Sequence, residues 1–106
     1  VYENGVAISA CRKERSDAQI LCAQVADQLL TVKGVKASFV AGRNDAGKTV
    51  ISARSLGEVN VQVIMEKFGG GGHLTTAAAQ VDSGIGETIK KIMDMMEVEQ
   101  DDSNLK

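Results

Sequence analysis

The sequence carries one histidine, two cysteines, three aromatic residues (Tyr2, Phe39 and Phe68) and neither proline nor tryptophan among its 106 residues. Cys11 and Cys22 form no C-x-x-C pair, and a single His leaves no Cys/His set with the spacing of a zinc site. Cys22 shares a helical face with apolar residues, so both cysteines read as reduced, small apolar residues of a cytosolic protein rather than as a disulfide. Three aromatics, two of them expected in the core, make a poor platform for stacking single-stranded bases. No apolar run approaches the roughly 20 residues of a membrane span, and the opening VYENG is no basic-then-apolar leader. A charge of one sign is lacking too. The net charge is −2, and four of the acidic residues fall in the last ten, EVEQDDSNLK, which leaves eleven basic against ten acidic residues over positions 1–96. Neither balance is the basic footprint of a protein that grips duplex DNA through many phosphates.

What is present, 43% apolar and 25% charged residues, is the composition of a soluble globular domain. A chain of this size buries roughly two-thirds of the surface of its unfolded form, enough for one core, which excludes most self-contained enzymes. One domain is expected over 1–96, with 97–106 as an acidic, disordered, solvated tail. The chain opens on Val rather than Met and is expected to be a piece of a longer protein.

Gly5 to Ala10 (GVAISA), small and β-branched, predicts a short buried strand. Ser16 with Gln19 three residues later has the form of a capping box. Ala18, Leu21, Cys22, Val25, Ala26 and Leu29 then recur at helical spacing until Gly34, a helix of about four turns. Val35, Ala37, Phe39 and Ala41 alternate with Lys36, Ser38 and Val40 before RNDAG, and KTVISARS resumes the β-branched residues, so a hairpin is predicted. Asn60 can cap a helix whose stripe is Val61, Ile64, Met65 and Phe68, ended by the glycines. Ala77 to Val81 reads as an inner strand, and a last helix turns Ile85, Ile89, Ile92, Met93 and Met96 inward. The Met65/Phe68 and Met93/Met96 pairs read as core. The expected fold is a small α+β domain, helices on a mixed sheet in two layers, in the order β-α-β-β-α-β-α.

Gly42 to Thr49, GRNDAGKT, satisfies the phosphate-loop pattern G-x-x-x-x-G-K-[ST] after a predicted strand. That chemistry needs a helix to start at the lysine, so that N-terminal amides and the helix dipole hold the phosphates. TVISARS follows instead, β-branched and alternating, and Asn44, Asp45 and Gly47 are the residues a hairpin turn wants. Nucleotide hydrolysis at this loop is therefore not expected.

Phe68-Gly69-Gly70-Gly71-Gly72-His73 is the most informative segment. One glycine suffices for a helix C-cap, so four signal either slack or a backbone that must approach something closely. A glycine loop can turn N–H groups toward a phosphate, and a neighbouring imidazole can donate to its oxygens. On these residues alone a flexible connection ending in an exposed His reads equally well.

GGGGHLTTAAAQ resembles the glycine-histidine signature of the DHH-associated domain, the C-terminal half of DHH-family phosphoesterases. The likeness extends through VISARSLGEVNVQVIMEKFGGGGH, similar to the family's strand, Ser-x-Arg-Ser, short helix and glycine loop, and so covers about residues 50 to 82. The fourfold glycine followed by His-Leu-Thr most resembles the membrane-anchored cyclic-di-AMP phosphodiesterases of GdpP/YybT type. Ala79 stands where the broader family has Gly, which weakens the likeness to the RecJ and nano-RNase branches. The resemblance implies that Gly70, Gly71, Gly72 and His73 lie on a substrate phosphate with Arg54 and Ser55 nearby, and that Ser55, Asn60 and Thr75 hydrogen-bond to substrate. Arg offers phosphate a planar fork. Without the family Arg54 reads as a surface charge, and Asn60 reads equally as a helix cap.

The resemblance further implies that the chain carries no catalytic residue, metal or cofactor of its own. There is no Asp-His-His triplet here and only one His, so the two manganese ions would belong to an upstream DHH domain that hydrolyses cyclic-di-AMP to linear pApA. This chain would hold the dinucleotide phosphate over that metal site for in-line attack by metal-bound water. It would be a cytoplasmic domain without membrane contact, in a parent anchored in the cell membrane, partnered by the DHH domain, a cyclic or linear dinucleotide and a second copy in a homodimer. The alternative is a nucleic-acid-binding module of a RecJ/nano-RNase-like exonuclease. A third reading is a structural, dimerising domain without ligand.

Overall fold

The computed structural model describes residues 2–97, so the stretch expected as a tail lies, from residue 98 onward, outside the described residues. In chain order the elements are β1 (Tyr2–Glu3), β2 (Val6–Glu14), α1 (Ala18–Leu30), β3 (Ala37–Arg43), β4 (Thr49–Ser55), α2 (Val61–Glu66), β5 (Gly71–Gly72), β6 (Thr76–Val81) and α3 (Ile85–Met95). The six strands form one sheet in the order β1-β2-β3-β4-β6-β5. Among the described strands only β2 and β3 run parallel, joined by α1 as the crossover that a parallel pair requires. The mixed sheet with helices is the expected α+β fold, with β1 and β5, two residues each, as additions; the expected two layers are three, because α1 covers one face of the sheet and α2 and α3 the other.

Three local expectations are corrected. The first strand does not stop at Ala10: β2 continues to Glu14 because Cys11 and Glu14 still pair with Gly42 and Arg43 across an irregularity in register. Ser16 and Gln19 form no capping box. Asp17 is the N-cap residue and makes no side-chain cap bond, its carboxylate being paired with Arg15 at 2.7 and 3.0 Å, while the Gln19 carboxamide turns toward the sheet. Helix α1 also ends before Gly34, at Leu30, where the Thr31 hydroxyl donates to the Gln28 carbonyl.

The segment that matched the phosphate loop is a hairpin turn. Asn44 Oδ1 accepts from the amides of Ala46 and Lys48, Gly47 has φ +80°, and Thr49 opens strand β4 rather than a helix. An Asx turn of this kind uses asparagine for its short acceptor side chain.

The helices divide between the two faces of the sheet. On one face Val6, Ile8, Phe39, Ile51, Ala77 and Ala79 meet Val61 and Met65 of α2 and Ile92 and Met93 of α3. Phe39, Ile51 and Met65 are fully buried there, and losing one such side chain costs about 2–5 kcal/mol. On the other face α1 presents Ala18, Cys22 and Ala26 to Val40 and Val50. Residues this small let the helix come close, and a Cβ at Gly42 would stand 2.6 Å from the Cys22 sulfur. The close approach brings polar partners together: the buried Ser38 hydroxyl donates to the Ala26 carbonyl at 2.7 Å. Helix α1 packs on β2, β3 and β4, so β6 and β5 lie bare on that face, and the step between helix and bare sheet is where the site forms.

Candidate functional site

The site begins at the end of α2. Asn60 Oδ1 accepts from the amides of Gln62 and Val63, which fixes the helix start. At the other end Gly69, at φ +83°, donates to the Glu66 carbonyl at 3.0 Å and Gly70 donates to Met65 at 2.9 Å, the paired bonds of a Schellman cap. The next glycines are ordered rather than slack. Gly71 and Gly72 pair with Ala78 and Ala77, and His73 N–H donates to the Thr76 carbonyl at 2.7 Å, closing a tight hairpin. The hairpin tip is pinned from below, because the Leu74 carbonyl accepts from Val61 and the Thr75 carbonyl from Ser55, both at 3.0 Å.

The glycines have different reasons to be glycine. A Cβ on Gly70 would lie 2.1 Å from the Ala78 carbonyl oxygen, and one on Gly72, at φ +147°, would lie 2.4 Å from that of Thr76. Both are demanded by the backbone of β6. Gly71 faces open space, with nothing within 4 Å of a Cβ placed on it. β5 is the edge of the sheet, and alternate amides of an antiparallel edge strand turn outward, so the hairpin offers a backbone donor on its open side.

Arg54 comes to the same place from β4. Its side chain is only 15% exposed; Nε donates to Asp27 Oδ1 of α1 at 2.8 Å and Nη1 to the Ala53 carbonyl at 2.9 Å. It lines an open pocket of about 360 Å³ together with Gln19 and Ala23 of α1, Ser52 of β4, Gly71 to His73, and Thr76 to Ala78. Gln19 Nε2 donates to the Ser52 hydroxyl oxygen at 3.0 Å on the pocket wall. A guanidinium held from behind, an exposed imidazole and the glycines of the sheet edge line one concavity, a set suited to an anion with several acceptor oxygens.

Of the residues singled out in the sequence, the fold brings Gly71, Gly72, His73 and Arg54 together and leaves four outside the lining. Gly70 has its amide engaged by Met65 and packs on β6. The buried Ser55 hydroxyl accepts from the amides of Gly57 and Val59 at 2.9 and 3.3 Å. Asn60 is the cap of α2, and Thr75 is exposed at the hairpin tip. Gln19, Ala23, Ser52 and the supporting Asp27 were not anticipated, whereas Thr76, whose hydroxyl stands beside the glycine-histidine loop in the sequence, does line the pocket. The signal for the α1 residues was their spacing, since positions 19, 23 and 27 share one helical face.

Comparison with known proteins gives the family and the fold. The chain is 53% identical over 93 residues to the cyclic-di-AMP phosphodiesterase GdpP of Geobacillus thermodenitrificans, covering 87% of this chain and 14% of that protein. It is 46% identical over 94 residues to the cyclic-di-AMP phosphodiesterase PdeA of Listeria monocytogenes, covering 88% and 14%. The chain thus spans about 14% of the length of these curated relatives. The crystal structure of an exopolyphosphatase-related protein from Bacteroides fragilis superposes with a TM-score of 0.76 at 23% identity, over 92% of this chain and 30% of that one, which is agreement in fold. The DHHA1 domain family matches residues 3–99, nearly the whole sequence, and the chain belongs to that family.

Proposed function

We propose that this chain is the substrate-holding domain of a manganese-dependent cyclic-di-AMP phosphodiesterase that opens the cyclic dinucleotide to linear pApA. The carrying observation is the convergence of Arg54 with Gly71, Gly72 and His73 on one pocket. The similarity to the cyclic-di-AMP phosphodiesterases supports the choice of substrate. Among the described residues no group of three or more His, Cys, Asp or Glu side chains gathers to hold a metal ion. The residues present do not fit the manganese pair, which this reading places in a DHH domain of the same polypeptide. Among the described residues no helix is long and apolar enough to cross a membrane, so on this reading any anchor of the parent protein is carried elsewhere.

The task left to this chain is binding and orientation. Arg54 is presented with its fork partly used by Asp27 and Ala53, so its free N–H groups point one way and meet a phosphate without first losing side-chain freedom. His73 and the β5 edge donate from the other side, and Gly71 lets the ligand approach the backbone closely. In the full-length enzyme His73→Ala should lower cyclic-di-AMP turnover on the order of 10²-fold, the scale of losing one donor aimed at a reacting phosphoryl group, with manganese content unchanged. Unchanged turnover would refute the reading. So would salt-sensitive capture of oligonucleotides without hydrolysis of the cyclic dinucleotide, which would favour a nucleic-acid module.

A further inference from the structure

The pocket is built in two rows that cross the sheet. One row runs from Asp27 through Arg54 and Thr76 to the hairpin at Gly72 and His73, with Arg54 opposite Thr76 in the β4–β6 ladder. The other runs from Gln19 through Ser52 and Ala78 to Gly71, with Ser52 opposite Ala78 and Ala78 opposite Gly71. The rows lie two residues apart on β4, about 7 Å. Their chemistry differs. The first holds the cation and the imidazole. The second has no side chain larger than a methyl group on the sheet between Ser52 and the edge, and Ala23 of α1 also lines the pocket. It ends in one neutral carboxamide.

We infer that the second row is a nucleobase subsite and that Gln19 is its specificity-determining residue, taking the edge of an adenine whose ring lies on the Gly71–Ala78 strip. This rests on the phosphodiesterase reading and deepens it. A planar ring needs a flat floor, and glycine and alanine on paired strands supply one beside the phosphate row. Gln19 Nε2 uses one hydrogen on Ser52, which holds the carboxamide in place and leaves Oε1 and a second N–H for a ligand. A donor beside an acceptor is what adenine's N7 and exocyclic N6 amine match. The N7/O6 edge of guanine would set a second acceptor against Oε1. Ser52, 1% exposed, acts through Gln19 as a positioning residue.

The test is the ratio of kcat/KM for cyclic-di-AMP to that for cyclic-di-GMP in the full-length enzyme, for wild type, Gln19→Leu and Gln19→Glu. Gln19 lies on the exposed first turn of α1, and Leu keeps its bulk, so folding is not at issue. The ratio should fall at least tenfold in both variants, mainly through KM for the adenine substrate, the discrimination that one bidentate base contact provides. A residue that only braced the helix would lower both substrates alike. An unchanged ratio with wild-type cyclic-di-AMP turnover intact would overturn this inference and leave the phosphodiesterase reading standing. If wild type turned over neither dinucleotide, both would fall.

Discussion

Arg54 Nε donates to Asp27 Oδ1 at 2.8 Å, and the two partners differ in burial: the arginine side chain is 15% exposed and the aspartate 64%. The guanidinium is therefore the fixed member and the carboxylate the solvated one. Such a pair adds little net stability, about 1 kcal/mol or less, but it aims the fork at the pocket while placing a negative charge beside an anion site.

The two effects separate by substitution. Asp27→Asn keeps an oxygen acceptor for Nε and removes the charge, and pApA should bind the full-length enzyme about two- to fivefold more tightly. Asp27→Ala frees the guanidinium and should weaken binding severalfold. Calorimetric titration measures both, and equal effects of the two changes would mean that Asp27 does not orient Arg54.

The glycine run predicts an ordered series. Gly70→Ala and Gly72→Ala each drive a Cβ within 2.4 Å of a β6 carbonyl oxygen and should cost about 1–3 kcal/mol or more in thermal or urea unfolding. Gly71→Ala meets no atom within 4 Å and should leave stability nearly unchanged while weakening pApA binding, because its methyl group stands where the ligand approaches. Equal stability losses in all three would contradict the assignment of separate roles.

This series also marks what the sequence disclosed. The loop was legible because four glycines before the only histidine exceed what a cap needs, and Asn60, the hairpin turn at Asn44 and the rejected phosphate loop were legible from local chemistry alone. The other wall of the pocket was not. Gln19 meets Ser52 across 33 residues, a contact that tertiary packing creates, and locally Gln19 resembled the last member of a capping box. Strand β5 escaped notice because two glycines carry no strand propensity; the ladder with β6 imposes their conformation. The full length of β2 was hidden because Arg12, Lys13 and Glu14 are polar and exposed.

Cys22 and Gly42 should show coupled stability. Gly42→Ala places a methyl carbon 2.6 Å from the Cys22 sulfur and should destabilise by about 1–3 kcal/mol. In the Gly42→Ala/Cys22→Ala double variant the losses should be clearly less than additive, because the second change makes room for the first. Additive losses would refute the contact.

Burial, with the Cys11 thiol beside it, pushes the Cys22 thiol up from 9.0 to about 12. The folded state thus favours the neutral thiol. The stability this contributes is complete below the unfolded thiol's pKa and is lost as pH rises from 9.0 toward about 12. Wild type should therefore lose stability more steeply over that range than Cys22→Ala does. Parallel slopes in urea unfolding at stepped pH would contradict the burial of this thiol.

The central claim is that Arg54 and His73 hold the dinucleotide phosphate together from opposite sides of one pocket. The most direct measurement is calorimetric titration of pApA into the full-length enzyme and into its Arg54→Ala and His73→Ala variants, each checked for an unchanged Tm. Both substitutions should weaken binding at least tenfold, the scale of losing a charge-assisted hydrogen bond to phosphate. Wild-type affinity in either variant would contradict the account.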